Sequence, residues 1–187
     1  MRRVTKNGTK CEIQFRTTSA LPNAVRRALM NDVETYAPTE ILIHSNTSSQ
    51  TDEYIAHRIG LIPFVRTDAP LSEMSLNVTG RMASTRNLTG DGFHAVHETP
   101  IVRLIDDQTL HIDIRFAKGT AMSHTKHSHI GPVAYSKSCD EAVLSFETIN
   151  ETCPLDYALA ALNSLTQRID DSIFVVQTQY DNDRKFI

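Results

Sequence analysis

Three histidines lie close together in the segment SHTKHSH, and imidazole is a common ligand of transition metals. They are His124, His127 and His129, and spacings of two and three residues in a loop could bring their rings around one ion. Neither a cysteine nor a pair of carboxylates lies beside them, and structural zinc sites generally take ligands from two separated segments. The pattern therefore favours a solvated loop, and a metal-dependent hydrolase that uses these histidines is the alternative.

The sequence motifs of nucleotide binding and of nucleophilic catalysis are missing. There is no GxGxxG, no GxxxxGK[ST], no GxSxG elbow and no HExxH helix. The three cysteines, Cys11, Cys139 and Cys153, are scattered, odd in number and without a CxxC pair, which predicts reduced thiols. We expect the chain to contain no catalytic residue, no bound cofactor and no metal ion.

Adjacent arginines in the segment NAVRRALM are candidates for a contact with another chain. Arg26 and Arg27 point about 100° apart on a helix, so they cannot both lie on its apolar face. The outer arginine is either solvated or a planar donor fork that engages a carboxylate or carbonyl of another subunit.

The segment DEYIAHRIGLIPF carries a histidine and an arginine in the middle of a short amphipathic helix. These residues are His57 and Arg58, and Thr51 or Asp52 is the expected N-cap. The glycine and proline of GLIPF should end the helix at a fixed place. The residues alone leave open what a surface helix needs these two side chains for.

The elements that position these residues begin with a strand and a helix. Alternating apolar residues predict a half-buried strand at 10–18, and the helical period with an early proline predicts a helix at 22–32. Pro38 is expected to interrupt the chain, and a second strand follows at 41–44.

The middle of the chain is predicted to be rich in β-strands. Residues 75–118 contain three strand-like runs, and in the last of them Leu110, Ile112, Ile114 and Phe116 share one face. This pattern is typical of a sheet-based insertion. The histidine segment then reads as a loop before two further strands, in PVAYS and AVLSFET.

A long amphipathic helix is predicted to begin at Pro154. Leucine and isoleucine recur in it at spacings of three and four and form one apolar stripe: Leu155, Leu159, Leu162, Leu165 and Ile169. The stripe either packs on the protein's own sheet or completes an interface with another chain, and both can hold at once. The order of elements predicts an α+β fold in which a sheet packs against helices.

Composition excludes several classes of function. With 187 residues and 40% apolar side chains, the chain can bury a substantial core. It has no apolar run of about 20 residues and no targeting peptide, which predicts an intracellular protein outside the membrane. A formal charge of −3 predicts only indirect contact with DNA or RNA.

Several long segments of the chain resemble the alpha-like subunits of cellular RNA polymerases. PNAVRRALMNDVETYAPTEILIHSNTSSQTDEYIAHRIGLIPF is similar to the signature of that family in both order and spacing. FAKGTAMSHTKHSHIGPVAYS and SLNVTGRMASTRNLTGDGF are similar to later parts of the third-largest subunit of RNA polymerase II. The archaeal counterpart of that subunit and the amino-terminal domain of bacterial alpha belong to the same group, and the resemblance covers roughly residues 10–175.

The resemblance implies a fold and a set of partners. It implies an alpha-like dimerisation domain, a sheet with two helices, at 1–44 and 128–187, and an inserted β-rich domain at 45–127. It also implies a non-catalytic assembly platform that forms a heterodimer with a smaller alpha-like subunit and docks the second-largest and largest subunits for transcription. Small zinc-binding polymerase subunits would be further partners. A stand-alone homodimer that reuses the fold is the alternative.

The resemblance also implies which residues form the subunit contacts. The helix positions at the dimer and large-subunit contact are matched by Asn23, Arg26, Arg27 and Leu29. The second block of the signature is matched by Asp52, Glu53, His57, Arg58, Gly60 and Pro63.

Two departures from the family pattern concern metals and source. The stretch VRTDAPLSEM lacks the cysteines that hold zinc in many eukaryotic relatives and an iron–sulfur cluster in some archaeal ones. The compact chain suggests a polymerase of a large DNA virus, which works in the host cytoplasm and virion, or a reduced eukaryotic polymerase in a nucleus.

Overall fold

The computed structural model describes residues 3–16, 20–70, 73–149 and 153–184. Within these ranges the chain forms three α-helices and twelve β-strands, which confirms the predicted α+β class. In chain order they are β1 (Arg3–Asn7), β2 (Lys10–Arg16), α1 (Leu21–Asn31), β3 (Glu34–Asn46), α2 (Asp52–Gly60), β4 (Phe64–Arg66), β5 (Met74–Thr79), β6 (Met82–Ser84), β7 (Leu88–Thr89), β8 (Phe93–Ala95), β9 (Pro100–Arg103), β10 (Thr109–Thr120), β11 (Ala134–Ser138), β12 (Glu141–Glu147) and α3 (Pro154–Arg184). No helix of the described residues has both the length and the apolar character needed to cross a membrane.

The chain divides into two compact units. The first unit takes its described residues from 1–33, 130–147 and 153–187, and the second from 34–129 and 148–152. The predicted boundary after residue 44 falls inside β3, which pairs with β10 from Glu34 to Asn46 and therefore stays in the second unit. The roles of dimerisation domain and insertion stay predictions.

The first unit is a four-stranded antiparallel sheet with α1 and α3 packed on it. The strand order is β1-β2-β12-β11, and β2 lies against β12 with Ile13 opposite Leu144. Alternate residues of β2 are buried, as its sequence predicts, while residues 17 and 18 of the predicted strand lie outside the described residues. The core is apolar and includes Cys11, Ile13, Phe15, Val25, Ala28, Leu29, Ala142, Leu144, Phe146, Tyr157, Ala158 and Ala161.

The second unit is built on a sheet in the order β3-β10-β5-β7, with the two-stranded sheets β4–β8 and β6–β9 beside it. Leu110, Ile112 and Ile114 of β10 are fully buried on one face, as predicted from their alternation. Ile55 and Ile59 of α2 join the same core. The opposite face of β10 is left to polar and charged side chains.

The prediction that Pro38 interrupts the chain is wrong. Strand β3 continues through Pro38, which pairs with Phe116 of β10. β3 is the edge strand of its sheet, so no strand pairs with it on one side. On that side, Pro38 loses no hydrogen bond between strands by having no N–H group. The pairing register shifts twice along β3, leaving Thr39 and His44 as extra residues in β-bulges.

The prediction of a solvated loop around the three histidines is wrong for two of them. The segment contains a short 3-10 helix, Thr125–His127, and both His127 and His129 are buried. Gly119 packs closely against the ring of His127. A Cβ atom built on Gly119 would come only 2.5 Å from Nε2 of that ring. His124 is exposed.

Candidate subunit interface

Helix α1 presents the predicted arginines in two different environments. Proline in the first turn suits the start of this helix, and Val25, Ala28 and Leu29 face the core. Arg26 is half-buried, and its Nε donates to Oδ1 of Asn23 over 3.1 Å. Arg27 and Asn23 are exposed. Three of the four predicted contact residues on α1 therefore have surface that a partner can reach, whereas Leu29 is in the core.

Helix α2 begins and ends as its sequence predicts. Thr51 is the N-cap, because its hydroxyl accepts from the N–H of Tyr54 over 3.4 Å, and the helix ends at Gly60. Asp52 and Glu53 lie exposed in the first turn, where negative charge is favourable. Asp52 also accepts a hydrogen bond from Nδ2 of Asn46 over 2.6 Å, which ties the helix start to β3.

Arg58 and His57 have different surroundings although they are neighbours. Arg58 donates from Nη2 to the carbonyl oxygen of Pro100 over 2.7 Å and lies 5.8 Å from the ring centre of Tyr54. It therefore links α2 to β9 inside the second unit. His57 is exposed and borders a shallow groove of about 230 Å³ that is also lined by Pro38 and Lys126.

The predicted apolar stripe of α3 is only partly covered by the first unit. Leu162 and Leu165 pack against the core, but Leu155, Leu159 and Ile169 are exposed. The exposed fraction of Leu159 is 59% and that of Ile169 is 52%, so both keep most of their surface open. The helix face that enters the core is instead formed by Tyr157, Ala158 and Ala161.

The exposed stripe also continues further along α3 than the predicted residues. Ile173, Val176 and Tyr180 follow Ile169 at spacings of four, three and four and are all exposed. Nη1 of Arg168 on this helix contacts Oδ2 of Asp32, the residue that follows α1, at 2.6 Å. Together with the exposed residues of the predicted stripe, these side chains form what we call the distal stripe: Leu155, Leu159, Ile169, Ile173, Val176 and Tyr180.

The three histidines of SHTKHSH do not converge on one point. Nδ1 of His127 donates to the carbonyl oxygen of Thr35 over 3.0 Å, and the Thr35 hydroxyl donates to the carbonyl oxygen of His127 over 2.6 Å. Nδ1 of His124 instead accepts from the N–H of Lys126. Among the described residues, one group of histidine and aspartate side chains has its ligand atoms close enough together to hold a metal ion. None of these three histidines belongs to that group. The described geometry therefore gives no support to the alternative of a hydrolase that holds a metal with these three histidines.

Burial keeps two of these histidines neutral. The pKa of His129 is lowered to about 4, first by burial and then by the neighbouring His127. Burial likewise lowers the pKa of His127. The ring atom Nε2 of His129 is buried without a hydrogen-bond partner in the described structure. These two side chains are therefore buried polar residues and not solvated loop residues.

A different cluster of side chains that could hold a metal ion lies on the polar face of the second unit's sheet. It consists of His44, His111 and Asp113, whose ligand atoms all lie within 4.8 Å of one another. The alternation of β10 places His111 and Asp113 on one face, a signal present in the sequence. His44 joins them only through strand pairing and a bulge, which residue spacing does not reveal.

The cysteines are free thiols, as predicted. Cys11 is buried, and burial is the main reason that its pKa is raised. Cys153 precedes α3, where a hydrogen bond from the N–H of Leu155 and another from Lys6 Nζ, at 3.2 Å, lower its pKa.

Comparison with known proteins places the chain among polymerase subunits. It is 29% identical over 157 residues to the DNA-directed RNA polymerase subunit Rpo3 of Methanocaldococcus jannaschii, a match that covers 80% of this chain and 81% of the relative. It is 27% identical over 157 residues to the RNA polymerase II subunit rpb3 of Dictyostelium discoideum, covering 66% of this chain and 52% of the relative. The chain resembles alpha-like RNA polymerase subunits over most of its length.

A shorter and more similar segment links the chain to another branch of the alpha-like family. The RNA polymerases I and III subunit RPAC1 of Homo sapiens is 46% identical over 55 residues, which is 29% of this chain and 16% of the relative. The chain thus spans most of the Methanocaldococcus subunit but about half of the Dictyostelium one. No family model matches the chain.

Proposed function

We propose that this chain is a non-catalytic assembly subunit of a multisubunit DNA-directed RNA polymerase. Its relatives are alpha-like polymerase subunits, which supports membership in such a complex. In this proposal the chain forms a heterodimer with a smaller alpha-like subunit, and the pair docks the second-largest and largest subunits. Polymerisation belongs to the large subunits, and this chain contacts DNA and RNA only indirectly.

The observation that carries the proposal is the distal stripe of α3. The helix has 31 residues, and its side chains from Thr166 to Tyr180 are all exposed. An apolar stripe of this length on an exposed helix is a typical site of protein–protein contact. We infer that it packs against a helix of the smaller alpha-like subunit in an obligate interface of about 2,000 Å² or more.

The arginines of α1 supply the second contact in this proposal. Arg27 is exposed and Arg26 is half-buried, so a guanidinium is available to a carboxylate or carbonyl of the second-largest subunit. Small zinc-binding polymerase subunits complete the expected set of partners. On α2, Asp52, Glu53 and His57 add exposed surface to the expected contacts, while Arg58 maintains the local fold.

The test is purification of the tagged chain from its native source, with mass spectrometry of the copurifying proteins. We expect two very large chains and one small alpha-like chain. The variant Ile169→Glu with Ile173→Glu places two charges in the distal stripe, and it should lose the small subunit while its circular dichroism stays that of the wild type. The matched control, Asn163→Glu with Gln167→Glu, places two charges on another face of α3 and should retain every partner.

A second variant separates the large-subunit contact from the dimer contact. Arg26→Ala with Arg27→Ala should keep the small subunit and lose most of the second-largest one. Recovery of the wild-type chain as a self-associated homodimer, without large subunits, would contradict the proposal and favour the stand-alone alternative. The large subunits that copurify would also distinguish a nuclear polymerase from a viral one, which works in the host cytoplasm and virion.

A further inference from the structure

Two imidazoles and one carboxylate meet on the polar face of the second unit's sheet. Nε2 of His44 lies 2.6 Å from Oδ2 of Asp113, and the ring centres of His44 and His111 are 4.6 Å apart. Side-chain nitrogen or oxygen atoms of all three residues come within 4.8 Å of one another. The cluster is half open to solvent, since 38% of the His44 side chain and 30% of the Asp113 side chain are exposed.

The backbone holds these three residues on two adjacent strands. His111 and Asp113 are two residues apart on β10, so both project from the face opposite to Leu110 and Ile112. His44 is the extra residue of the β-bulge in β3, where the register shifts between His111 and Ile112. A bulge re-aims a side chain, and here it directs His44 over the neighbouring strand.

A third strand positions the carboxylate. The Ser75 hydroxyl on β5 donates to Oδ1 of Asp113 over 2.6 Å, which leaves Oδ2 directed at His44. A hydrogen-bond partner that fixes the orientation of a ligand is a regular feature of protein metal sites.

We propose that His44, His111 and Asp113 form a binding site for a divalent transition-metal ion, with Zn²⁺ as the ion that this ligand set favours. Two imidazoles and a carboxylate suit zinc, whose bonds to nitrogen and oxygen are about 2.0–2.2 Å long. Atoms that bind one tetrahedral ion lie about 3.3–3.6 Å apart at those bond lengths. On binding the ion, the distance between His44 and Asp113 would therefore increase slightly, and the longer distances to the other ligand atoms would decrease. Rotation of the side chains allows both changes.

The ion would join the edge strand β3 to the central strand β10 at a bulge, where the ladder of backbone hydrogen bonds is locally disrupted. Three protein ligands leave a fourth tetrahedral position, which water or a side chain of another subunit fills. The competing explanation is an ordinary ion pair between His44 and Asp113 on an exposed face, which needs no metal.

The test is a zinc titration of the full-length chain, stripped of metal and held at about pH 7.5, above the ordinary pKa of imidazole. A coloured chelator competes for Zn²⁺ and reports both stoichiometry and affinity. We expect one equivalent of zinc to bind the wild-type chain. The variants His44→Ala and Asp113→Asn should each bind at least about 100-fold more weakly, and Ser75→Ala about 10- to 100-fold more weakly.

The matched control replaces two exposed histidines elsewhere in the second unit, His94→Ala with His97→Ala, and it should bind zinc as the wild type does. A Co²⁺ absorption spectrum adds a check on ligand type, because nitrogen and oxygen ligands give no thiolate charge-transfer band. Circular dichroism checks whether each variant is folded. If a ligand variant does not fold, His111→Gln replaces it. Absence of stoichiometric zinc in the wild-type chain, unchanged affinity in the ligand variants, or a thiolate band would overturn the proposal.

Discussion

Acidification should destabilise the folded chain through one buried histidine, His129. The pKa of His129 is about 4 in the folded chain, against about 6.5 for an exposed imidazole. Between these values the unfolded chain binds a proton that the folded chain does not, so the free energy of unfolding falls as the pH falls. The stabilisation is fully present above about pH 6.5 and is lost progressively toward pH 4, with a total of about 3 kcal/mol.

The assay is urea unfolding followed by circular dichroism, because the chain contains no tryptophan to report by fluorescence. From about pH 6.5 to 5, the wild type should lose about 2 kcal/mol more than His129→Leu, which has no proton to bind at this position. His127 has a pKa lowered by burial as well, but it is present in both proteins and cancels in the difference. His124→Leu removes an exposed imidazole and should keep the wild-type pH dependence. Equal slopes for the wild type and His129→Leu would refute the reasoning.

Two further substitutions test local packing in the second unit. Gly119→Ala places a Cβ 2.5 Å from Nε2 of His127, whose ring is held by a hydrogen bond, so the melting temperature should fall by the equivalent of about 1–3 kcal/mol. The control Gly60→Ala adds a Cβ where nothing lies within 4 Å, so a comparable loss there would contradict the steric explanation. Arg58→Ala removes the hydrogen bond to the Pro100 carbonyl, and thermal unfolding should show a loss of about 1.5–3 kcal/mol, whereas an unchanged melting temperature would mean that the bond is not maintained in solution.

Elements whose residues are held by local chemistry were predictable from the sequence. Strand β10 was predicted from the alternation of its apolar residues, the start of α1 from its early proline, and the start of α2 from the cap at Thr51. Each of these signals depends on interactions within a few residues. The resemblance to alpha-like subunits also rests on contiguous segments, and the comparison with known polymerase subunits confirms it. The predicted contacts of α1, α2 and α3 stay predictions, because a subunit interface is completed by residues of another chain.

The sequence alone determined the class of fold, the main elements and the resemblance to alpha-like subunits, because hydrophobic period and motif spacing are properties of neighbouring residues. The tertiary structure decided where each polar residue lies. Pro38 continues a strand because pairing places that strand at a sheet edge. The pKa of His129 is lowered because folding buries its ring. His44 reaches Asp113, 69 positions away, because β3 and β10 pair with a shifted register. Such contacts depend on pairing between distant segments, and no local pattern in either segment specifies them.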